Sequence, residues 1–306
     1  IKNQLEMLLK SGVTYIRNQG TSDYFDLQAK HAVENKVCIG PEIMACGPAI
    51  TIPNGHGSWI GLVCTGVDEC IENVNKVINN GVGAVKIIAT GGVMSKGTNL
   101  ETSQFSFEEM QAMVDIAKSH NKITSVHAHG ATGMRISVNA GVDTVEHGTF
   151  MDDDIINGML NNNTWLVPTL TAPHSIKTNG RNGGLPTHIM DKMDVVYDVR
   201  MQNFKKAYQA GVKIGLGTDG GTPFNTFDQT WFELKMLHDL GVPLMEALKI
   251  ATINTAKMLR ISEKYGSIDV NKYADFIILK DNPLEKGVNS LTNIHRVVKR
   301  GEMIKI

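Results

Sequence analysis

The 306 residues are 42% apolar and carry 30 Lys and Arg against 31 Asp and Glu, a formal net charge of −1. That is enough chain to bury one large core, and it lacks the field that gathers nucleic acid or an anionic membrane. The longest apolar runs fall far short of the roughly 20 residues that a spanning helix needs, and the first dozen residues lack a secretory-signal layout.

In chain order, short apolar or β-branched runs alternate with longer amphipathic stretches. The runs are Val13–Ile16, Ile43–Ala45, Ala84–Ile88, Ile123–Val126, Thr144–Glu146, Trp165–Val167 and Ile214–Leu216, which predict seven strands. Phe107 to His120 has helical spacing, with Met110, Met113, Val114 and Ala117 on one face, and Ser106 with Glu109 reads as a capping box. Gly81, Gly141 and Gly211 each precede a Val that opens a new run, the pattern of a left-handed helix stop followed by a buried strand. Such βα units in series build a parallel sheet covered by helices. Seven strands suit an open doubly wound sheet and fall one short of a closed barrel. Polar residues at the tails of several runs favour the barrel, where strand ends converge on one mouth.

After Leu170, a long segment carries His174, Lys177, Arg181 and His188 among several glycines. It reads either as a lid bringing charge toward the mouth or as a solvated loop. Helical stretches follow at Thr226–Leu240 and Leu244–Leu259. Beyond them, Gly266–Ile268, Ala274–Leu279 and Val297–Ile304 read as strands with no helix between. A boundary near 264 therefore separates a barrel over 1–263 from a small β appendage over 264–306, too small to bury its own core and expected to pair with strands from elsewhere. Cys38, Cys46, Cys64 and Cys70 fit no zinc-knuckle or redox-pair spacing. Read as reduced, buried thiols, they suggest a cytoplasmic protein.

The candidate chemistry lies at the strand tails. His127 and His129 stand two apart on one strand and so share a face; His147 ends the next, and Asp219 ends the last in Gly217-Thr218-Asp219. Imidazoles and a carboxylate gathered at strand tips are a ligand set for zinc with a position left open for water. Lys86 sits among apolar neighbours, where a cation is costly unless paired or neutralised. Three roles are open to it: snorkelling at the strand end, forming a Schiff base with a carbonyl substrate in a metal-free lyase, or taking up carbon dioxide to become an anionic metal ligand. No Gly-x-Ser-x-Gly nucleophile motif competes.

Several tracts together resemble the amidohydrolase superfamily, in its Xaa-Pro dipeptidase and arginine carboxypeptidase branch. They are Val85-Lys86-Ile87-Ile88-Ala89-Thr90-Gly91-Gly92-Val93-Met94-Ser95, Val126-His127-Ala128-His129-Gly130, Val145-Glu146-His147-Gly148, Val167-Pro168-Thr169-Leu170 and Gly217-Thr218-Asp219. Ala274–Leu279, after Gly266–Ile268, is similar to the strand pair with which that family returns to a β-sandwich. The resemblance implies a (β/α)8 TIM-type barrel and a binuclear zinc site with Lys86 as a carboxylated bridge. It also implies that His127 and His147 hold one metal and that Asp219 is ligand and proton carrier. His56, in Pro53-Asn54-Gly55-His56-Gly57, is similar to a family histidine that polarises or orients the scissile amide, and His129 is a candidate either to contact substrate or to support a metal ligand from behind.

The implied reaction is hydrolysis of an amide in dipeptides or N-acyl amino acids by a metal-bound hydroxide. The partner is then a small-molecule substrate, with association into a homo-oligomer left open and no nucleic acid and no membrane. The family's opening strand with its His-x-His pair has no counterpart before Ile1–Lys10. Two expectations follow: either the sequence is part of a longer protein, or it is an inactive fragment holding one metal or none.

Overall fold

A computed structural model describes residues 1–305. The chain opens with α1 (Lys2–Lys10), β1 (Tyr15–Arg17), α2 (Phe25–Glu34), β2 (Glu42–Met44) and two very short strands, β3 (Ile50–Thr51) and β4 (Leu62–Val63). Regular alternation follows: α3 (Val67–Asn79), β5 (Ala84–Ile88), α4 (Phe107–Ser119), β6 (Ile123–Ala128), α5 (Ala131–Asn139), β7 (Thr144–His147), α6 (Asp153–Asn162) and β8 (Trp165–Val167). Then come α7 (Thr171–Asn179), α8 (Thr187–Gln209) and α9 (Thr230–Asp239). Next is a helix with a π turn at its middle, α10 (Leu244–Lys249) running through Ile250–Asn254 into α11 (Thr255–Met258).

The strands are parallel, in the order β4-β3-β5-β6-β7-β8, with β1 paired in parallel to β2. The fold is the TIM-barrel type, as the buried tails predict. Every residue of β5, β6 and β7 is buried, which is why these strands read as unbroken runs and not as alternation. Six of the seven predicted strands form within a residue or two of their expected bounds. Ile214–Leu216 is reduced to a single parallel bridge, Ile214 to Leu166. Among the described residues no ladder joins it to β1. The β3–β4 pair was not expected, because two-residue strands carry no readable period.

The helices follow the sequence closely. In α4 the Ser106 side chain accepts from Glu109 N and the Glu109 carboxylate accepts from Ser106 N, a complete capping box that leaves fewer orphan donors at the helix start. Met110, Met113, Val114 and Ala117 are its buried face. Gly81, Gly141 and Gly211 all take positive φ, as helix stops ahead of buried valines require.

The C-terminal part departs more. Gly266–Ile268 is not a strand: Gly266 has φ +88 and packs on Ile253 and Ala256, while Ile268 is 84% exposed. The last predicted run is instead a hairpin, β10 (Ile294–Lys299) and β11 (Glu302–Ile304), because Arg300 and Gly301 both take positive φ, the requirement of a two-residue turn. With β9 (Phe276–Leu279) they form a three-stranded antiparallel sheet whose strands, among the described residues, pair only with each other. Helix α12 (Pro283–Lys286), capped by Asn282 with Pro at its first turn, lies between β9 and β10 where no helix was expected.

Candidate active site

Three successive strand exits carry a residue in the left-handed region: His147 (φ +73) after β7, Thr169 (φ +49) after β8 and Asp219 (φ +55) after Ile214–Leu216. None is glycine, so each costs backbone energy that the surrounding packing must supply, a common feature of functional sites.

His127, His129 and His147 are 5, 3 and 8% exposed, and one ring nitrogen from each lies within 4.8 Å of the others. The His127 ring is 4.8 Å from that of His129 in an edge-on arrangement, as expected for residues i and i+2, and the rings of His129 and His147 stack at 4.9 Å. Burial, reinforced by mutual repulsion and by Lys86 or Arg200, holds all three well below the ordinary histidine range. They are neutral imidazoles with lone pairs to give, the donor chemistry that zinc takes.

His56 joins this group, 4.5 Å from His127 between ring centroids, and burial with Lys86 and Lys192 nearby lowers its pKa to about 4. Its ring lies against Gly92 so closely that any Cβ there would collide with it. Gly91 likewise leaves no room for a Cβ against the backbone at Asn99. The two glycines of the Thr-Gly-Gly tract therefore exist for close approach. The His56 backbone N donates to Gln104 Oε1 (2.6 Å), while Gln104 Nε2 donates to Ile88 O (2.7 Å), tying the His56 loop to β5.

Lys86 lies deeper, and the residue it meets was not anticipated as functional. Its Nζ donates to Glu146 Oε2 at 3.0 Å, and Arg17 Nη2 donates to Glu146 Oε1 at 2.9 Å, all three side chains being 3–4% exposed. Thr144 Oγ1 also donates to Glu146 (2.6 Å). Burial pushes the Glu146 carboxyl up, but Lys86 and Arg17 outweigh it and hold the pKa below the usual value. Arg17 Nη1 is a buried donor with no acceptor among the described residues. Asp219 lines the mouth, where solvent reaches it, yet enough protein surrounds its carboxyl that desolvation raises the pKa against the pull of Lys86 and Arg200.

Around the histidines runs a shell that was also missed. His147 Nδ1 meets Thr169 Oγ1 at 2.8 Å, and His129 Nδ1 meets Thr149 Oγ1 at 2.8 Å. Arg200 on α8, 3% exposed, spans both pairs. Glu233 on α9, fully buried, accepts from the backbone N of Leu170 and Thr171 (2.8 Å each) and so pins the chain leaving β8. Of these residues only Thr169 lay in a tract that the sequence singled out, Val167-Pro168-Thr169-Leu170.

The segment after Leu170 is helical, and the charge it brings to the site is that of Arg200 and Lys192 on α8. It folds as α7 and α8 over a hydrophobic cluster of Ile176, Ile189, Met190, Met193 and Val196 with Val93 and Leu100. Lys177 and Arg181 are spent on Asp194 of α8, and His174 on the Tyr197 hydroxyl (3.0 Å). Glycines and charges looked like loop composition, but the apolar spacing of α8 outweighs them. Lys192 on α8 donates to Gly92 O (2.9 Å) and Ser95 O (2.7 Å), locking the loop after β5.

A parallel barrel whose strand exits gather three buried histidines that could hold a metal ion is the class of barrel whose active sites sit at that face. The chain belongs to the amidohydrolase family, whose model matches residues 1–304. It is 27% identical to the ochratoxinase of Aspergillus niger over 94% of this chain and 66% of that protein, and so spans just under two thirds of that relative. Among solved structures, a Xaa-Pro dipeptidase with bound methionine in the active site superposes with a TM-score of 0.93 at 34% identity, over 99% of this chain and 78% of that one. A prolidase complexed with N-methylphosphonate-L-proline superposes at 0.91 with 27% identity, over 99% and 78%. No described helix is long and apolar enough to cross a membrane.

Proposed function

We propose that this chain carries the site of a zinc-dependent amidohydrolase acting on dipeptides or N-acyl amino acids. The observation that carries the reading is the convergence of three neutral, buried imidazoles within 4.8 Å at the exits of adjacent barrel strands. The resemblance to a Xaa-Pro dipeptidase and a prolidase supports the substrate class.

Three imidazoles, those of His127, His129 and His147, lie close enough together to hold a metal ion. His127 and His147 would serve as ligands, Asp219 as a carboxylate ligand, and Lys86 as a carboxylated bridge. A carbamate on Lys86 would bring an acceptor to a cluster in which the buried Arg17 Nη1 has none. Zinc, when bound, supplies Lewis acidity toward the amide carbonyl and a water that ionises near neutral pH. The protein's own part is to orient and move protons. Asp219, at the mouth and with a raised pKa, accepts a proton during attack and returns it to the leaving amine. His56 and His129 face the same space and hold the substrate.

The test is hydrolysis of a panel of Xaa-Pro dipeptides and N-acyl amino acids by metal-stripped and zinc-reloaded protein, with peptide mass mapping around Lys86. Zinc is expected to restore activity, Asp219→Asn to lower kcat by about 10²–10⁴-fold, and Lys86 to carry one added carbon dioxide. Zinc-loaded protein that cleaves none of the panel would refute the assignment. A borohydride-trapped substrate adduct on Lys86 would establish the Schiff-base lyase in its place.

A further inference from the structure

Arg200 is a buried cation with no carboxylate in hydrogen-bonding contact. Its guanidinium is spent on neutral acceptors: Nε on Thr149 Oγ1 (3.1 Å), Nη1 on Thr169 O (3.4 Å) and Thr169 Oγ1 (3.3 Å), and Nη2 on His129 Nδ1 (3.2 Å). The last contact decides something the others leave open. A hydroxyl beside a ring nitrogen is compatible with either tautomer, because it donates or accepts as needed. A guanidinium only donates. Its N–H is aimed at Nδ1, a contact that favours a lone pair on that nitrogen, and the Thr149 hydroxyl, 2.8 Å from the same nitrogen, can donate to that lone pair as well.

His147 is held differently. Its Nδ1 meets Thr169 Oγ1, an oxygen that already accepts from Arg200 and has a second lone pair for an Nδ1–H. That arrangement leaves the His147 Nε2 lone pair free, the usual state of a ligand steadied through its other nitrogen. Arg200 thus reaches each of two neighbouring histidines through a threonine hydroxyl, Thr149 for His129 and Thr169 for His147, and only His129 also by a direct contact.

We propose that Arg200 is a positioning residue that fixes His129 as its Nε2–H tautomer, making His129 a hydrogen-bond donor to a substrate oxygen and barring it from serving as a third imidazole ligand. The substrate role rests on the hydrolase reading above; the tautomer does not.

The experiment is two-dimensional ¹⁵N–¹H correlation of ring nitrogens in histidine-labelled, metal-free protein, with His129→Asn to assign the signal, in wild type, Arg200→Lys and Arg200→Met. Wild-type His129 is expected to show an unprotonated Nδ1 and a protonated Nε2. Arg200→Met should shift the ring toward the Nδ1–H form, since only the Thr149 hydroxyl then remains at that nitrogen, whereas Arg200→Lys keeps a donor and the wild-type tautomer. Titrating zinc into wild type should displace the His127 and His147 signals while His129 keeps its Nε2–H.

A wild-type Nδ1–H, or loss of the Nε2–H on zinc binding, overturns the proposal, and the wild-type spectrum decides this even if Arg200→Met does not fold. Protein that binds no zinc and cleaves no amide, yet shows the expected tautomer, would sink the hydrolase reading alone.

Discussion

Glu146 shows how much one side chain holds inside this barrel. Two cations, Arg17 and the Lys86 amine as it stands uncarboxylated in the metal-free chain, converge on it from different strands, and each would be costly to bury without it. Glu146→Gln leaves both with an amide in place of the anion. Breaking a buried ion pair by removing one partner typically costs about 3–5 kcal/mol, far more than the pair itself is worth against an apolar replacement. The expected outcome is a destabilisation of that order in urea titration. It should be partly recovered by Glu146→Gln combined with Lys86→Met, since one stranded charge is then removed. Sequence inspection singled out Lys86 as a cation in need of a partner, but its partner lies 60 residues away and is reached only through the β5-β6-β7 register.

At the scale of elements, α9 reaches across to hold the start of α7. Glu233 accepts from Leu170 N, Thr171 N and the Thr171 hydroxyl, satisfying donors at a helix N-terminus that has no side-chain cap of its own. Burial nevertheless wins over these hydrogen bonds and raises its pKa to about 7, above the ordinary glutamate range. A raised carboxyl pKa means the fold favours the protonated form. Its contribution is therefore whole below the unfolded value and is lost as pH rises through about 7, on the order of 3 kcal/mol in all. Unfolding free energies of wild type and Glu233→Gln compared across that window should diverge, with the wild type losing stability toward neutral pH and the variant lacking that component. Parallel curves would show that Glu233 is ionised throughout. The helix that carries it was legible in the sequence as Thr226–Leu240; the inward-facing carboxylate was not, because periodicity assigns faces and says nothing of what a distant loop presents to them.

Across the whole molecule, the barrel and the C-terminal sheet share material. Val288 and Leu291, between α12 and β10, belong to the same buried cluster as Val85, Val126 and Leu166 of the barrel strands. Lys299 donates to Gly40 O (2.8 Å) and pairs with Glu42 (3.0 Å), and Arg300 pairs with the same Glu42 (3.7 Å). Leu291→Ala, although beyond residue 264, is expected to cost about 2–5 kcal/mol. It should lower the unfolding midpoint read by tryptophan fluorescence, since Trp59, Trp165 and Trp231 all precede that boundary. A tryptophan transition that stays put would mean that the two parts unfold independently.

What the sequence by itself determined is what local chemistry can decide. The strand–helix alternation, the capping box at Ser106, the left-handed glycine stops and the histidines of β6 and β7 all depend on neighbours within a few residues, where pleat and helix period place side chains without reference to the rest of the chain. Only the tertiary structure decided the partners. Arg200 finds His129 across 71 positions, Arg17 finds Glu146 across 129, and α7 with α8 replace an expected loop because Val93 and Leu100 supply the apolar surface that makes helix burial favourable there. Hydrogen bonds and ion pairs between distant segments leave no period in a sequence, since what selects them is the cost of a buried polar group left unmet once the barrel has brought it inside.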